Sequence, residues 1–307
     1  MSSLAREIGI AEKVAALGAS WHPSEPLAAH TSLGVGGPAD LVRIHDLGRV
    51  AGLVGFLCDR GVSWRLLGGG TNLLVVDEGL RDDVVLQLGR SPNGVRFNGH
   101  RVEVPAAANL GTTVMECAKR NLGGMEGLIG VPGSVGGALH MNAGAYGTQI
   151  GDLVRAVTLC RGPGGQIEVW GPSQARFEYR HSSFAPEDVL LSVSLELPER
   201  PYAEILARIK QCNQKRRASH PINEKSAGCI FKNPAGHSTG KMIDELGLKG
   251  TRVGGAVISD LHGNFIVNRY GASAADIFRL MDLIRERVLK AYGIELKEEV
   301  IVWRNRM

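Results

Sequence analysis

Five cysteines, Cys58, Cys117, Cys160, Cys212 and Cys229, are spread over 307 residues with no CxxC among them. An odd count at wide spacing excludes a disulfide framework and a zinc knuckle. The nine histidines form neither HExxH nor HxH, so no metal site is expected. Long apolar runs are missing too. The N-terminal MSSLAREIGIAEKVAALG carries charge through its apolar positions, unlike a signal peptide. The long uncharged stretch, 127–151, holds eight glycines with Pro132, Asn142 and Gln149, too polar and broken to cross a membrane. A formal charge of +4 is too mild for a dedicated nucleic-acid binder, although it suits a small polyanionic substrate. The expectation is a cytoplasmic protein with no nucleic-acid partner, no membrane insertion and no metal.

Two common nucleotide fingerprints are also missing. No GxGxxG lies between a strand and a helix, and GVGGPAD, 34–40, has the wrong spacing, which disfavours a Rossmann site. GHSTGKM, from Gly236, is one residue short of a Walker loop, with Met242 where Ser or Thr would hold magnesium. It reads as a helix start.

What the chain does have is glycine, 41 residues of it, against 5% aromatics. Two stretches concentrate it. GGGTNLLV places Gly68, Gly69, Gly70, Thr71 and Asn72 between apolar strands, where consecutive backbone N–H groups can form an anion-binding nest. GLIGVPGSVGGALHMNAGAYG, 127–147, adds Gly133, Ser134, Gly136, Gly137 and Asn142. No side chain there neutralises a phosphate, so backbone donors or a helix N-terminus would have to hold one. Close packing of backbone elements explains either stretch as well.

Hydrophobic periodicity places these stretches in an α+β chain. A short amphipathic helix is expected over 4–17, a strand at LVRIHD and a helix at VAGLVGFLCDRG closed by Gly61. Strand, glycine turn and strand follow in WRLLGGGTNLLVVD. Further strands are VVLQL, VRFNGHRVEVPA, AVTLC and DVLLSVSLELPER, with a hairpin at GPGGQIEVW. TTVMECAKRNLGG reads as a helix capped by Thr112 or Thr113. Beyond a break at Pro201 come a helix with a basic end, the segment KSAGCIFKNP, a short helix at GKMIDELGLKG and two short strands in AVISDLHGNFIVN. A long helix follows, with the stripe Ile277, Leu280, Met281, Ile284, Val288 and Leu289, and then a closing strand at GIELKEEVIVW. The 44% hydrophobic and 21% charged composition and the length allow two or three sub-domains.

GGGTNLL and GLIGVPGSVGGALHMNAGAYG together resemble the FAD-binding region of the UDP-N-acetylenolpyruvoylglucosamine reductase (MurB) family. TSLGVGGPADL, YRHSSF, SAGCIFKNP, KMIDELGLKGTRVGGAVISDLHGNFIVN and LKEEVIVW match its other blocks in order, from Thr31 onward. The resemblance implies a two-part FAD-binding region of the vanillyl-alcohol oxidase (PCMH) type, 1–66 and 67–200, then a smaller α+β substrate domain, 201–307. It implies non-covalent FAD, held by the glycine-stretch residues named above, and NADPH as reductant. The implied reaction converts a UDP-sugar, UDP-N-acetylglucosamine enolpyruvate, to UDP-N-acetylmuramate for peptidoglycan. LELPERP passes directly into a helix, as in the shorter class that lacks a tyrosine loop insertion.

Three residues match the family's catalytic positions. Arg180, in YRHSSF, would hold the carboxylate on which negative charge develops; alone, it would read as a surface charge. Glu299, in LKEEV, would act with it, and on a strand the adjacent Glu298 faces the other way. Cys229 is the departure, since many members carry a serine proton donor there. A thiol with a free pKa of about 8.5 is mostly protonated at neutral pH and can serve; by itself, a lone cysteine reads as a small buried hydrophobe. Lys232 and Asn233 are the expected substrate contacts. Lys241, Lys215, Arg216 and Arg217 could attract a diphosphate, although the last three read as a solvated face. The rivals are another FAD-dependent oxidoreductase on this scaffold and a non-catalytic flavin- or nucleotide-binding protein with Cys229 as its lesion. Intact Arg180 and Glu299 argue against both.

Overall fold

The computed structural model describes residues 9–89, 94–162 and 164–306. The chain forms two compact units, neither continuous in sequence. The first takes residues up to Ser24, Asp40–Gly69 and Asp82–Gln214; the second takes Glu25–Ala39, Gly70–Arg81 and Lys215 onward.

In the first unit, a four-stranded sheet runs in the order Ala19–Pro26, Pro38–Ile44, Asp83–Leu88, Ser63–Leu67. The last three are parallel, with Asp83–Leu88 between its two partners. Its apolar run Val84–Leu86 is fully buried, as a parallel strand covered on both faces requires. Helix Val50–Cys58 buries Leu53, Val54 and Leu57 in that core. The N-terminal helix spans Ile10–Ala16; positions 4–8 of its expected span lie outside the described residues.

A second sheet of the same unit is antiparallel, in the order Gln166–Trp170, Val154–Arg161, Val189–Glu196, Arg101–Pro105, Arg96–Asn98. The expected hairpin is its edge. The single strand expected over VRFNGHRVEVPA is instead two antiparallel strands, Arg96–Asn98 and Arg101–Pro105, because Gly99, φ 56°, turns the chain; within the second, Val102 and Val104 are buried while Glu103 is not. Helices Leu110–Ala118 and Val135–His140 complete this second core. The first of them starts earlier than expected. Asn109, the last residue with extended backbone, is its cap, with Oδ1 accepting from Thr112 N at 2.9 Å; neither Thr112 nor Thr113 takes that place.

The second unit is built on an antiparallel sheet, Ser226–Cys229, Phe265–Asn268, Ala256–Ile258, Arg252–Val253. Leu73–Val75 pairs in parallel with the closing strand Ile301–Trp303. The two strands of WRLLGGGTNLLVVD therefore belong to different units, and the chain leaves the first between Gly69 and Gly70. Helix Ala274–Tyr292 opens on a Ser273–Asp276 capping box and ends at Gly293, φ 68°, the two signals a helix of this length needs. Asp77 adds a carboxylate to its first turn, accepting from Ala274 N at 2.8 Å and Ala275 N at 3.0 Å. The buried stripe is Ile277, Leu280, Met281, Ile284 and Val288, while Leu289 is 52% exposed. The expected stripe is one residue too wide, because Leu289 lies a further 100° round the helix. Among the described residues no helix is long and apolar enough to cross a membrane, and no group of three His, Cys, Asp or Glu could hold a metal ion.

Candidate active site

In the first unit the two glycine-rich stretches meet. A Cβ on Gly69 would lie 2.7 Å from Gly133 Cα, and one on Gly68 would lie 2.9 Å from Ser134 Oγ and 4.0 Å from Gly137 Cα. Gly69 is glycine because backbone packs on backbone. Gly68 and Gly137 are exposed, and a Cβ on Gly137 would meet only Ser134 Oγ, at 3.4 Å. Bare Cα atoms therefore face the surface on either side of a hydroxyl. Ser134 caps helix Val135–His140, accepting from Gly137 N at 3.2 Å. Gly136 is buried, and its N–H donates to Ala106 O at 2.8 Å. This surface, neutral and almost without side chains, fits a dinucleotide that is approached closely by backbone. Gly69, although it packs on Gly133, is exposed as well, so close packing and open surface meet in the same stretches.

The remaining residues of GGGTN belong to the second unit. Gly70, φ 62°, would put a Cβ 1.9 Å from His30 O, so only glycine fits the second unit there. Thr71 is half-buried. Asn72 Nδ2 donates to Glu299 O at 3.0 Å, and Asn72 O accepts from Ile301 N at 3.1 Å. Asn142 is 2% exposed. Its amide donates to Glu178 O at 2.8 Å and Gln149 Oε1 at 3.2 Å and accepts from Gly151 N at 3.0 Å. That side chain joins the loops around it.

One of those loops carries Arg180. Glu178 and His181 exchange backbone hydrogen bonds at 3.0 and 3.2 Å, which leaves Tyr179 and Arg180 at the tip of a turn. Arg180 has φ 53°, the third-position geometry that normally takes Gly or Asn. Its Nη2 donates to Gly144 O at 3.0 Å, and the guanidinium lies 5.2 Å from the Tyr179 ring centroid. Among the described residues, six non-glycines have positive φ, and four of them, Asn142, Tyr146, Arg176 and Arg180, fall in this region. Such strain persists where the surroundings over-determine it and clusters at functional sites.

Cys229 and Glu299 lie in the second unit, where backbone hydrogen bonds join their segments. Strand Ser226–Cys229 pairs Ser226 with Val267 and Cys229 with Phe265, so one extra residue sits on the cysteine side. Gly228, φ 77°, makes that bulge possible, and bulges re-aim the side chain that follows. Cys229 is half-buried. Immediately after it, Ile230 O accepts from Glu299 N at 2.8 Å, and Lys232 N donates to Lys297 O at 2.8 Å. The adjacent Glu298 is held by Arg285. Asn233 is exposed, its Oδ1 accepting from Thr239 N at 3.0 Å, and Lys232 O accepts from Thr239 Oγ1 at 2.9 Å.

Phe265, the cross-strand partner of Cys229, is edged by His220 and His262, with centroids 5.2 and 4.9 Å away. Burial pushes His220 down to about 4, helped by Arg216 and His262. Burial and Lys249 likewise lower His262, so both rings are neutral at neutral pH. Sequence reading missed Asn264. It is 3% exposed, and its side chain clamps Phe231, accepting from Phe231 N at 3.0 Å and donating to Phe231 O at 2.7 Å. Its only sequence signal is a polar residue placed one position before the apolar strand FIVN.

Comparison with known proteins identifies the family. The description "FAD binding domain" matches residues 38–170, and "UDP-N-acetylenolpyruvoylglucosamine reductase, C-terminal domain" matches residues 220–303. A UDP-N-acetylenolpyruvoylglucosamine reductase of Pelobacter propionicus is 39% identical over 277 residues, 90% of this chain and 93% of the relative. That of Geotalea uraniireducens is 38% identical over 94% of this chain and 95% of its own length. The crystal structure of UDP-N-acetylenolpyruvylglucosamine reductase from Thermus caldophilus superposes with a TM-score of 0.79 at 37% identity, covering 93% of this chain and 99% of that one. The chain is an FAD-binding α+β oxidoreductase and belongs to the UDP-N-acetylenolpyruvoylglucosamine reductase (MurB) family.

Proposed function

We propose that the chain catalyses the NADPH-dependent reduction of UDP-N-acetylglucosamine enolpyruvate to UDP-N-acetylmuramate through FAD. The observation that carries this reading is the Ile230–Glu299 hydrogen bond, which joins the segments of Cys229 and Glu299 in a member of this family. Gly68, Gly69, Gly70, Thr71, Asn72, Gly133, Ser134, Gly136, Gly137 and Asn142 are assigned to non-covalent FAD. FAD held there would supply hydride transfer between NADPH and the enolpyruvyl double bond.

Arg180 is assigned to the substrate carboxylate, where its planar fork stabilises the negative charge that hydride addition creates. Its bond to Gly144 O fixes one edge of the guanidinium in advance. The Cys229 thiol delivers the proton to the carbon beside that carboxylate, so it has to start neutral. Glu299 is assigned, with Arg180, to the enolpyruvyl end, and Lys232 and Asn233 to the polar groups of the UDP-sugar. The functional division, 1–66 and 67–200 for flavin and 201–307 for substrate, runs across the two compact units and does not coincide with them. Five free cysteines and a nucleotide-sugar substrate support a cytoplasmic setting. Peptidoglycan precursor supply would then link the enzyme to wall growth, cell shape and division.

Anaerobic stopped-flow absorbance in the visible flavin band tests the reading. NADPH should bleach the protein, and UDP-N-acetylglucosamine enolpyruvate should restore its colour. Bleaching without recovery would assign the scaffold to another substrate. A protein unable to take up FAD would overturn the proposal.

A further inference from the structure

We infer that Asn264 is the positioning residue that holds Cys229 for proton delivery, an inference that rests on the function proposed above. The sheet ladder ends at the Cys229–Phe265 pair, yet the chain beyond it has to keep one course for both reacting segments to stay together. Asn264 extends the ladder by three hydrogen bonds. Its carbonyl accepts from Ile230 N at 2.9 Å, and its side-chain amide matches Phe231 donor to acceptor and acceptor to donor. An amide side chain reproduces the donor–acceptor pair of a peptide group, so Asn264 acts as an extra strand residue where the backbone has turned away at Gly263.

The placement decides the role. Ile230 lies between Cys229 and Phe231, donates to Asn264 through its N–H and accepts from Glu299 through its carbonyl. One clamp therefore sets the chain direction after the thiol and the anchor of the glutamate. On the far side Asn72 holds Glu299 O at 3.0 Å, so each reacting segment is backed by an asparagine. Gly228 supplies the opposite condition, since a residue of φ 77° just before Cys229 offers no stiffness of its own. A Phe231–Asn264 pair buried at both ends is also where a lost partner leaves groups that water cannot satisfy.

The test uses Asn264→Asp, which keeps the shape and the acceptor but removes the donor to Phe231 O. Flavin bleaching by NADPH should stay within about twofold of wild type, whereas reoxidation by UDP-N-acetylglucosamine enolpyruvate should slow by roughly 10- to 100-fold, the scale of a misplaced reacting group. Protonating the introduced carboxyl restores a donor, so the reoxidation defect should shrink as pH falls. The decisive comparison is made in a Cys229→Ala background. There Asn264→Asp should cost little more, because a residue acting through the thiol has nothing left to position. An equal loss with and without the thiol, or an unchanged reoxidation rate, would overturn the inference. Should Asn264→Asp fail to retain FAD, Asn264→Ser is read in its place by the same comparison. If wild-type protein itself bleaches but does not reoxidise, the proposed function fails, and that outcome is visible before any variant is made.

Discussion

A proton donor at position 229 needs only to be neutral and well aimed, and serine meets that need as cysteine does. Cys229→Ser should therefore keep substantial turnover. Cys229→Ala should bleach with NADPH normally but reoxidise with substrate about 10²–10⁴-fold more slowly, the range expected for a missing general acid. Wild-type reoxidation in Cys229→Ala, measured in the same stopped-flow experiment, would remove the thiol from the mechanism. Arg180 separates activity from stability. Its φ of 53° costs an ordinary residue about 1–2 kcal/mol, which glycine avoids. Arg180→Gly should unfold at no lower temperature than wild type while losing substrate-driven reoxidation. Earlier unfolding, followed by circular dichroism, would mean that the Gly144 contact outweighs the strain.

Elements place these residues, and at this scale sequence and structure can be compared feature by feature. The alternation within Arg101–Pro105 and the apolar stripe of the long helix Ala274–Tyr292 were legible, because burial of one face imposes a period on the side chains; the capping box that opens the helix was not read. The glycine stretches were legible as sites of close backbone approach. Which glycines meet was not legible, because that depends on two segments some sixty residues apart, Gly68–Gly69 and Gly133–Ser134. The bulge before Cys229 and the Asn264 clamp escaped for the same reason, each being defined by a partner across the sheet. Gly69→Ala tests the packed half of the junction. Its methyl would sit 2.7 Å from Gly133 Cα, and overpacking of this kind typically costs about 1–3 kcal/mol. The variant should have a lower denaturation midpoint and retain FAD less well than wild type on gel filtration. Unchanged midpoint and flavin content would show that the two stretches can separate freely.

For the molecule as a whole, acid tests how stability and site are linked. His220, lowered to about 4 from 6.5 by burial, Arg216 and His262, stays neutral in the folded state while the unfolded chain takes up a proton. Unfolding then binds protons between those two values, so stability is complete above about pH 6.5 and declines as pH falls toward 4. His262, lowered by burial and Lys249, and His140 in the first unit, lowered by burial although Asp188 opposes it, act with the same sign. Asp276, lowered by backbone donors of Ser273 and Gly255, adds a loss only at more acidic pH. Urea unfolding at about pH 7 and about pH 5 should show wild type weakened at the lower value, and His220→Gln should show a smaller difference between the two. The histidine pair also reaches the catalytic segment, because His262 Nδ1 accepts from Asn264 N at 3.2 Å. Protonating that nitrogen sets one donor against another, and the Asn264 N–H then loses its acceptor. Substrate-driven reoxidation should accordingly fall with acid before the protein unfolds, while bleaching by NADPH persists. Parallel loss of both half-reactions across that range would break the link drawn here between the histidine pair and Cys229.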